Sequence, residues 1–176
     1  MKEQFLSKMG ISCFAEHKDD LLMWAHYGGR YEGFCLEFRT EYAPFDNNKL
    51  QKVNYVDEMP HLNVCKILMG DQMEELMKLY CVKSRAWAYE REWRAMHREA
   101  GKLYGYDARA LKAIYFGPNM DSQTKEILCL ILKDQVPSVE LWNVIQRPDR
   151  FSLAFQQFNF TTFGEAQRLG LISPTG

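Results

Sequence analysis

Apolar positions along the chain fall into short runs punctuated by turn residues, with one long stretch at helical spacing. Ile11-Ser12-Cys13-Phe14-Ala15 predicts a short strand, and the charged turn Glu16 to Asp20 behind it offers an aspartate as helix N-cap. Leu21, Leu22, Trp24, Ala25 and Tyr27 supply the apolar face of a two-turn helix that Gly28-Gly29 stops, because glycine takes the left-handed position without steric cost. Phe34 to Phe38 is almost continuously apolar and predicts a central strand buried on both faces. A loop with Pro44, Asp46, Asn47 and Asn48 leads to one strand, Leu50 to Val56.

Leu62, Cys65, Met69, Met73, Leu76 and Tyr80 recur at steps of three and four and predict the longest helix, between residues 61 and 84. Gly70 interrupts it at a cost of about 1 kcal/mol relative to alanine and marks a kink or break. Further strands are expected at Glu92 to His97, Leu103 to Tyr106 and Leu111 to Phe116, followed by the turn Gly117-Pro118-Asn119. Asp121 or Ser122 then caps a helix through Lys133. Val139 to Ile145 and Phe151 to Phe155 form a hairpin across Arg147-Pro148-Asp149-Arg150, and the tail after Thr161 reads as weakly structured. These elements predict an α+β fold: a central mixed or antiparallel sheet of about six to eight strands, one long helix and two or three shorter ones. With no repeat or linker, residues 1–176 read as a single domain.

Composition narrows the class. A hydrophobic share of 47% over 176 residues supplies a sizeable core. With 22 basic against 23 acidic side chains the net charge is -1, which gives no strong nucleic-acid signal and no attraction to anionic membranes. No apolar run is long enough to span a bilayer. The five cysteines, Cys13, Cys35, Cys65, Cys81 and Cys129, sit mostly in apolar runs and read as buried free thiols of a reducing, cytoplasmic setting. Neither a CxxC nor an HxxxH spacing exists, so no metal is expected. The methionine-rich helix suits either a core or a homo-oligomer interface.

Two segments are dense in information: Leu21 to Phe38, containing Trp24-Ala25-His26-Tyr27-Gly28-Gly29 and Gly33-Phe34-Cys35-Leu36-Glu37-Phe38, and Lys83 to Arg94, reading Lys83-Ser84-Arg85-Ala86-Trp87-Ala88-Tyr89-Glu90-Arg91-Glu92-Trp93-Arg94. With Ile11-Ser12-Cys13-Phe14 before them and Ala113-Ile114-Tyr115-Phe116-Gly117 after, they closely resemble the bacterial family known as domain of unknown function 2971, in order and over about three quarters of the chain. Members of that family carry a further N-terminal segment with an Asn-Asp-Pro-Phe-like stretch, so the resemblance implies a shortened member. They often read Asn-His-Lys where this chain has Arg30-Tyr31-Glu32, so any role of that histidine is either lost or passed to Tyr31.

A more distant resemblance concerns mechanism. A strand with small polar residues, a short helix and a returning apolar strand are similar to the centre of the ADP-ribosyltransferase fold, and Glu90-Arg91-Glu92 resembles its ExE motif. That resemblance implies NAD as the nucleotide ligand and a nucleotide-handling enzyme. Breaking the nicotinamide–ribose bond builds positive charge on the sugar, so a fixed carboxylate, Glu92, lowers the barrier. In an extended segment Glu90, Glu92 and Arg94 share one face, where Glu90 orients the nucleophile and Arg94 a phosphate or carboxylate, while Trp93 points into the core. His26 is the third catalytic candidate. Tyr27, Tyr31 and Ser12 are the nucleotide-contacting ones, and the reading requires the acidic strand and the Trp24-His26-Tyr27 turn to border a common hollow.

The plainer alternatives are a surface ion-pair ladder for Glu90, Glu92 and Arg94, a packed histidine at a helix end for His26, and core for Trp24. Trp87 and Tyr89 then clamp a loop against the core, and Cys35 is no nucleophile because an apolar setting raises its pKa. Under those alternatives the chain is a non-catalytic interaction or regulatory module, of the kind met in phage defence.

Overall fold

The computed structural model describes residues 9–45, 50–70, 72–97 and 99–171. Its strands are β1 (Gly10–Ala15), β2 (Phe34–Phe38), β3 (Leu50–Lys52), β4 (Asn54–Val56), β5 (Val82–Ser84), β6 (Glu92–His97), β7 (Leu111–Phe116), β8 (Glu140–Gln146) and β9 (Leu153–Phe158). The helices are α1 (Leu21–His26), α2 (Val64–Met69), α3 (Gln72–Tyr80), α4 (Ser122–Gln135) and α5 (Phe163–Arg168). The class is α+β as expected. Two compact units are formed: one holds the described residues up to Lys18 with Ala43–Tyr106, the other Asp19–Tyr42 and the described residues from Asp107 onward. Among the described residues the strands are shared by three sheets, where the pattern suggested a single one.

In the first unit β6 is the middle strand, paired antiparallel with β1 and with β3. The run Leu50 to Val56, expected as one strand, is two. Val53 is buried, its backbone N–H donates to the Glu92 carbonyl, and the next residue leaves the sheet, Asn54 N–H bonding the Cys81 carbonyl as β4 pairs in parallel with β5. The long helix is likewise divided. Gly70 caps α2 in the left-handed region at φ 116, α3 restarts at Gln72, and the chain turns extended at Val82. The side chains of Met73 and Leu76, part of the expected apolar face, lie outside those described, as do Asp46, Asn47 and Asn48 of the expected loop. Leu103 to Tyr106, expected as a strand, is irregular: Leu103 is fully exposed and Tyr104 folds back to bond the Glu99 backbone.

The second unit is built on the four-stranded sheet β2-β7-β8-β9. Asp20 caps α1 by accepting from the Leu22 and Met23 amides at 2.8 and 3.0 Å. One sheet face packs Ala113, Tyr115, Val144 and Leu153 with Trp24, which is core as expected; the other packs Ile114 and Phe116 with Cys129 of α4. The central strand buried on both faces is therefore β7, and β2 is an edge strand. The polar residue within its apolar run explains this, since Glu37 accepts from Lys112 at 2.5 Å and from the Tyr115 hydroxyl. The expected hairpin forms as β8 and β9, and Asp121 caps α4 by accepting from the Thr124 amide.

The tail after Thr161 is ordered rather than weakly structured as far as residue 171, the remainder lying outside the described residues. Thr162-Phe163-Gly164-Glu165 is a reciprocal capping box that starts α5, and the Glu165 carboxylate also takes the Lys133 ammonium of α4. Lys133 and the Thr162 hydrogen bonds hold the Glu165 carboxyl at about 2. Replacing Thr162 with alanine is expected to lower stability by about 1 kcal/mol in urea denaturation, the usual value of an N-cap. An unchanged midpoint would show that α5 does not depend on its box.

Candidate functional site

The candidate residues divide between the units: Ser12, Glu90, Glu92 and Arg94 lie in the first, His26, Tyr27 and Tyr31 in the second. In the second, His26 is exposed on the last turn of α1 with its ring 6.4 Å from that of Tyr27, itself largely exposed. Tyr31 has a structural use. Its hydroxyl donates to the Leu21 carbonyl at 2.8 Å, and its ring packs on the Trp24 cluster.

The first unit gathers its residues into a buried ionic network. Glu92 and Arg94, two apart on β6, share a face, and the guanidinium grips the carboxylate through both forks, Nε to Oε1 at 2.7 Å and Nη2 to Oε2 at 3.1 Å. Lys83 reaches across from β5, donating to Glu92 Oε2 at 3.1 Å and to Glu90. Glu90 and Glu92 are 3% and 5% exposed. Arg94 also donates to the Tyr80 carbonyl, and the Glu92 amide donates to the Tyr55 hydroxyl at 2.8 Å. Two cations and two anions thus balance, the condition under which burying charge is tolerable.

Glu90 arrives there by a different backbone from the extended one expected. Residues Arg85–Glu90 form a 3-10 helix, Arg91 turns through the left-handed region at φ 45, and only then does β6 begin. The surface ion-pair ladder is equally absent, since both carboxylates are buried. Trp93 does point to the opposite face, but not into a core: its indole N–H donates to Glu16 at 2.8 Å, and the Lys52 ammonium sits 5.4 Å from its ring. Trp87 is exposed on the 3-10 helix, with Tyr89 beside it at 6.0 Å and Lys83 at 5.0 Å.

Burial alone drives the Glu92 carboxyl upward; hydrogen bonds from Arg94, Cys13 and Lys83 outweigh it and hold the group at about 2. For Lys83 burial acts downward, and the bonds to Glu90 and Glu92 raise it on balance. The Glu92 bond raises Arg94. Loss of water around the sulfur, then the Glu92 carboxylate, push the Cys13 thiol up to about 11. Glu92 is therefore an anion near neutral pH, and Cys13 a thiol rather than a thiolate.

Register decides which residue of β1 joins this network. Cys13 pairs with Arg94 and Ala15 with Glu92, so Cys13 lies on the network's face; Ser12 pairs with Ala95 and faces the other side, away from Glu92. Of the five thiols expected to be buried, only Cys81 and Cys129 are; Cys35 is half-buried, and Cys13 and Cys65 are exposed as whole residues.

Sequence reasoning missed Lys83, Cys13 and Tyr55. It also missed Glu75, fully buried on α3, whose carboxylate takes Lys78 at 2.6 Å and the Asn63 amide at 3.0 Å. These two bonds pull its carboxyl below the ordinary value. The available signal was slight: Lys83 opens the second dense segment, whereas the helical neighbours of Glu75, Gln72, Lys78 and Leu79, are mostly polar and do not mark it as buried.

Fold and site define an α+β protein with a charge-balanced carboxylate–guanidinium–ammonium network under a short antiparallel sheet. Residues 23–95, less than half the chain, match the model of the family described as Protein of unknown function (DUF2971), so the family resemblance carried by the two dense segments holds over that stretch. No curated protein and no solved structure matches the chain.

Proposed function

We propose that this chain is a nucleotide-handling domain of ADP-ribosyltransferase type, with NAD as substrate and Glu92 as its functional carboxylate. The observation that carries the reading is Glu92 itself: buried, its carboxyl held down to about 2 by its hydrogen bonds, and gripped by the Arg94 fork. Cleavage of NAD breaks the bond from ribose C1′ to the nicotinamide nitrogen, the electron pair leaving with nicotinamide, and the sugar carries positive charge until the acceptor's lone pair bonds C1′. A fixed anion that needs no reorganisation stabilises that charge. Lys83 has two acceptors, so it can yield its 3.1 Å bond on Glu92 to a ribose hydroxyl and remain on Glu90. Arg94 does not fit the phosphate role first expected of it, because its donors are engaged by Glu92 and the Tyr80 carbonyl.

One observation favours a second reading. The four charges cancel and satisfy one another, as in a purely structural lock, and a domain so built serves as a non-catalytic interaction or regulatory module. Incubation with labelled NAD separates the two. The enzyme reading expects nicotinamide release and label transfer by the parent, and a loss of about a hundredfold or more in Glu92→Gln protein verified as folded by circular dichroism. Turnover indistinguishable from buffer in the parent, or equal in both proteins, favours the module.

A further inference from the structure

The opposite face of the same sheet carries a second constellation, independent of the NAD reading. Ser12 Oγ and His97 Nε2 lie 2.9 Å apart, from residues that are 85 positions apart in the chain. Pairing β1 with β6 sets Ser12 opposite Ala95, so His97 is its diagonal neighbour on one face, and the small Ala95 side chain lets the imidazole lean across. The ring is held from beyond the strand. Tyr104 stacks on His97 with centroids 4.2 Å apart and planes 22° apart, and its hydroxyl both donates to the Glu99 carbonyl at 2.9 Å and accepts from the Glu99 amide at 3.1 Å. Gly10, the partner of His97, allows this turn to fold over the strand end, since a Cβ there would stand only 3.3 Å from the Ala100 Cα. Both Ser12 and His97 remain partly exposed, so a substrate can reach them.

We infer that Ser12 is a nucleophile and His97 its general base, forming an acyl-serine from activated carboxylic esters. A hydroxyl is a weak nucleophile until a base within hydrogen-bonding distance removes its proton, and a base works best when its ring cannot swing away. The arrangement supplies both. With His97 neutral and protonated on Nδ1, Nε2 takes the Ser12 proton as Oγ bonds the acyl carbon. The ester's alcohol then leaves with the electron pair of the broken C–O bond and takes that proton from Nε2. Water repeats the sequence: it gives a proton to Nε2, its oxygen bonds the acyl carbon, and Ser12 Oγ departs and regains the proton, leaving a free carboxylic acid.

The test is covalent labelling of the full chain with a fluorophosphonate, which traps nucleophilic serines, followed by intact-mass and peptide mapping. One adduct per chain at Ser12 is expected, abolished in Ser12→Ala and slowed about a hundredfold in His97→Gln. Tyr104→Phe, which keeps the stacked ring but removes the hydroxyl anchor, is expected to slow labelling severalfold. Hydrogen exchange of β1 and β6 verifies that each variant is folded. Absence of an adduct at Ser12 in the folded parent overturns the assignment, and so does an equal labelling rate in His97→Gln. Nicotinamide release from NAD plays no part in this readout, so failure here and failure of the transferase reading are separate results.

Discussion

Glu92→Gln is expected to destabilise the first unit by about 3–5 kcal/mol, the range for removing one partner of a buried ion pair, read as a matching loss of amide-exchange protection across β1, β3 and β6. Glutamine preserves the shape of the side chain but leaves two cations, Lys83 and Arg94, against one carboxylate, Glu90, which pairs with Lys83 and not with Arg94. The double variant Glu92→Met with Arg94→Met removes one charge of each sign and leaves the Lys83–Glu90 pair balanced, so its loss should fall at least about 2 kcal/mol short of the two single losses added together. Simple additivity would falsify the coupling of the network. Acid provides a second measure. The Glu92 carboxyl sits at about 2 in the folded protein against an ordinary 4.5, so its contribution is complete above about pH 4.5 and is lost as pH falls through about 2. Lys83 is raised above its ordinary 10.5, so its contribution is complete below that value and fades as pH climbs through the folded one. A stability plateau between these limits is expected in urea titrations of the parent, and its acid edge should flatten in Glu92→Gln.

Gly117→Ala is expected to lower the stability of the second unit by about 3 kcal/mol or more, at the upper end for overpacking, because the obstruction is backbone and cannot rotate aside. An added Cβ would stand 2.1 Å from the Tyr31 carbonyl oxygen and 2.8 Å from that of Gly33. Relief would also strain the Gly117 amide's hydrogen bond to the Gly33 carbonyl and the Asn119 amide's bond to Tyr31, which tie the turn after β7 to the chain entering β2. Gly29→Ala is the control. Its φ of 56 disfavours a side chain, yet nothing stands nearer than 3.7 Å, so a loss of about 1–2 kcal/mol is expected. Equal losses in the two variants, measured by urea denaturation, would mean that the turn yields freely around residue 117.

Much of the site's parity was readable and its membership was not. Glu92 and Arg94 are two apart in a strand, so their common face follows from the chain alone. Their partners do not: Lys83 comes from β5 of another sheet, and Cys13 rather than Ser12 joins them because of the register of β1 on β6. A slip of one residue would exchange Cys13 and Ser12, turning one from the buried charges toward His97 and the other the opposite way. The capping box of Thr162 and Glu165 was legible and passed over, while Glu37 gave a sign, in its carboxylate, that β2 would end at a sheet edge.

Local order in this chain is dictated within a few residues. Asp20 and Asp121 cap their helices, Gly70 ends one, and the β8–β9 hairpin closes on its own turn, because the atoms involved are neighbours along the backbone and meet whatever the rest of the molecule does. Which strands become neighbours, which face each presents and which charges share a buried space depend on contacts between residues tens of positions apart. Those are selected by the packing of the whole unit, through burial and charge balance, and no short stretch of sequence contains them.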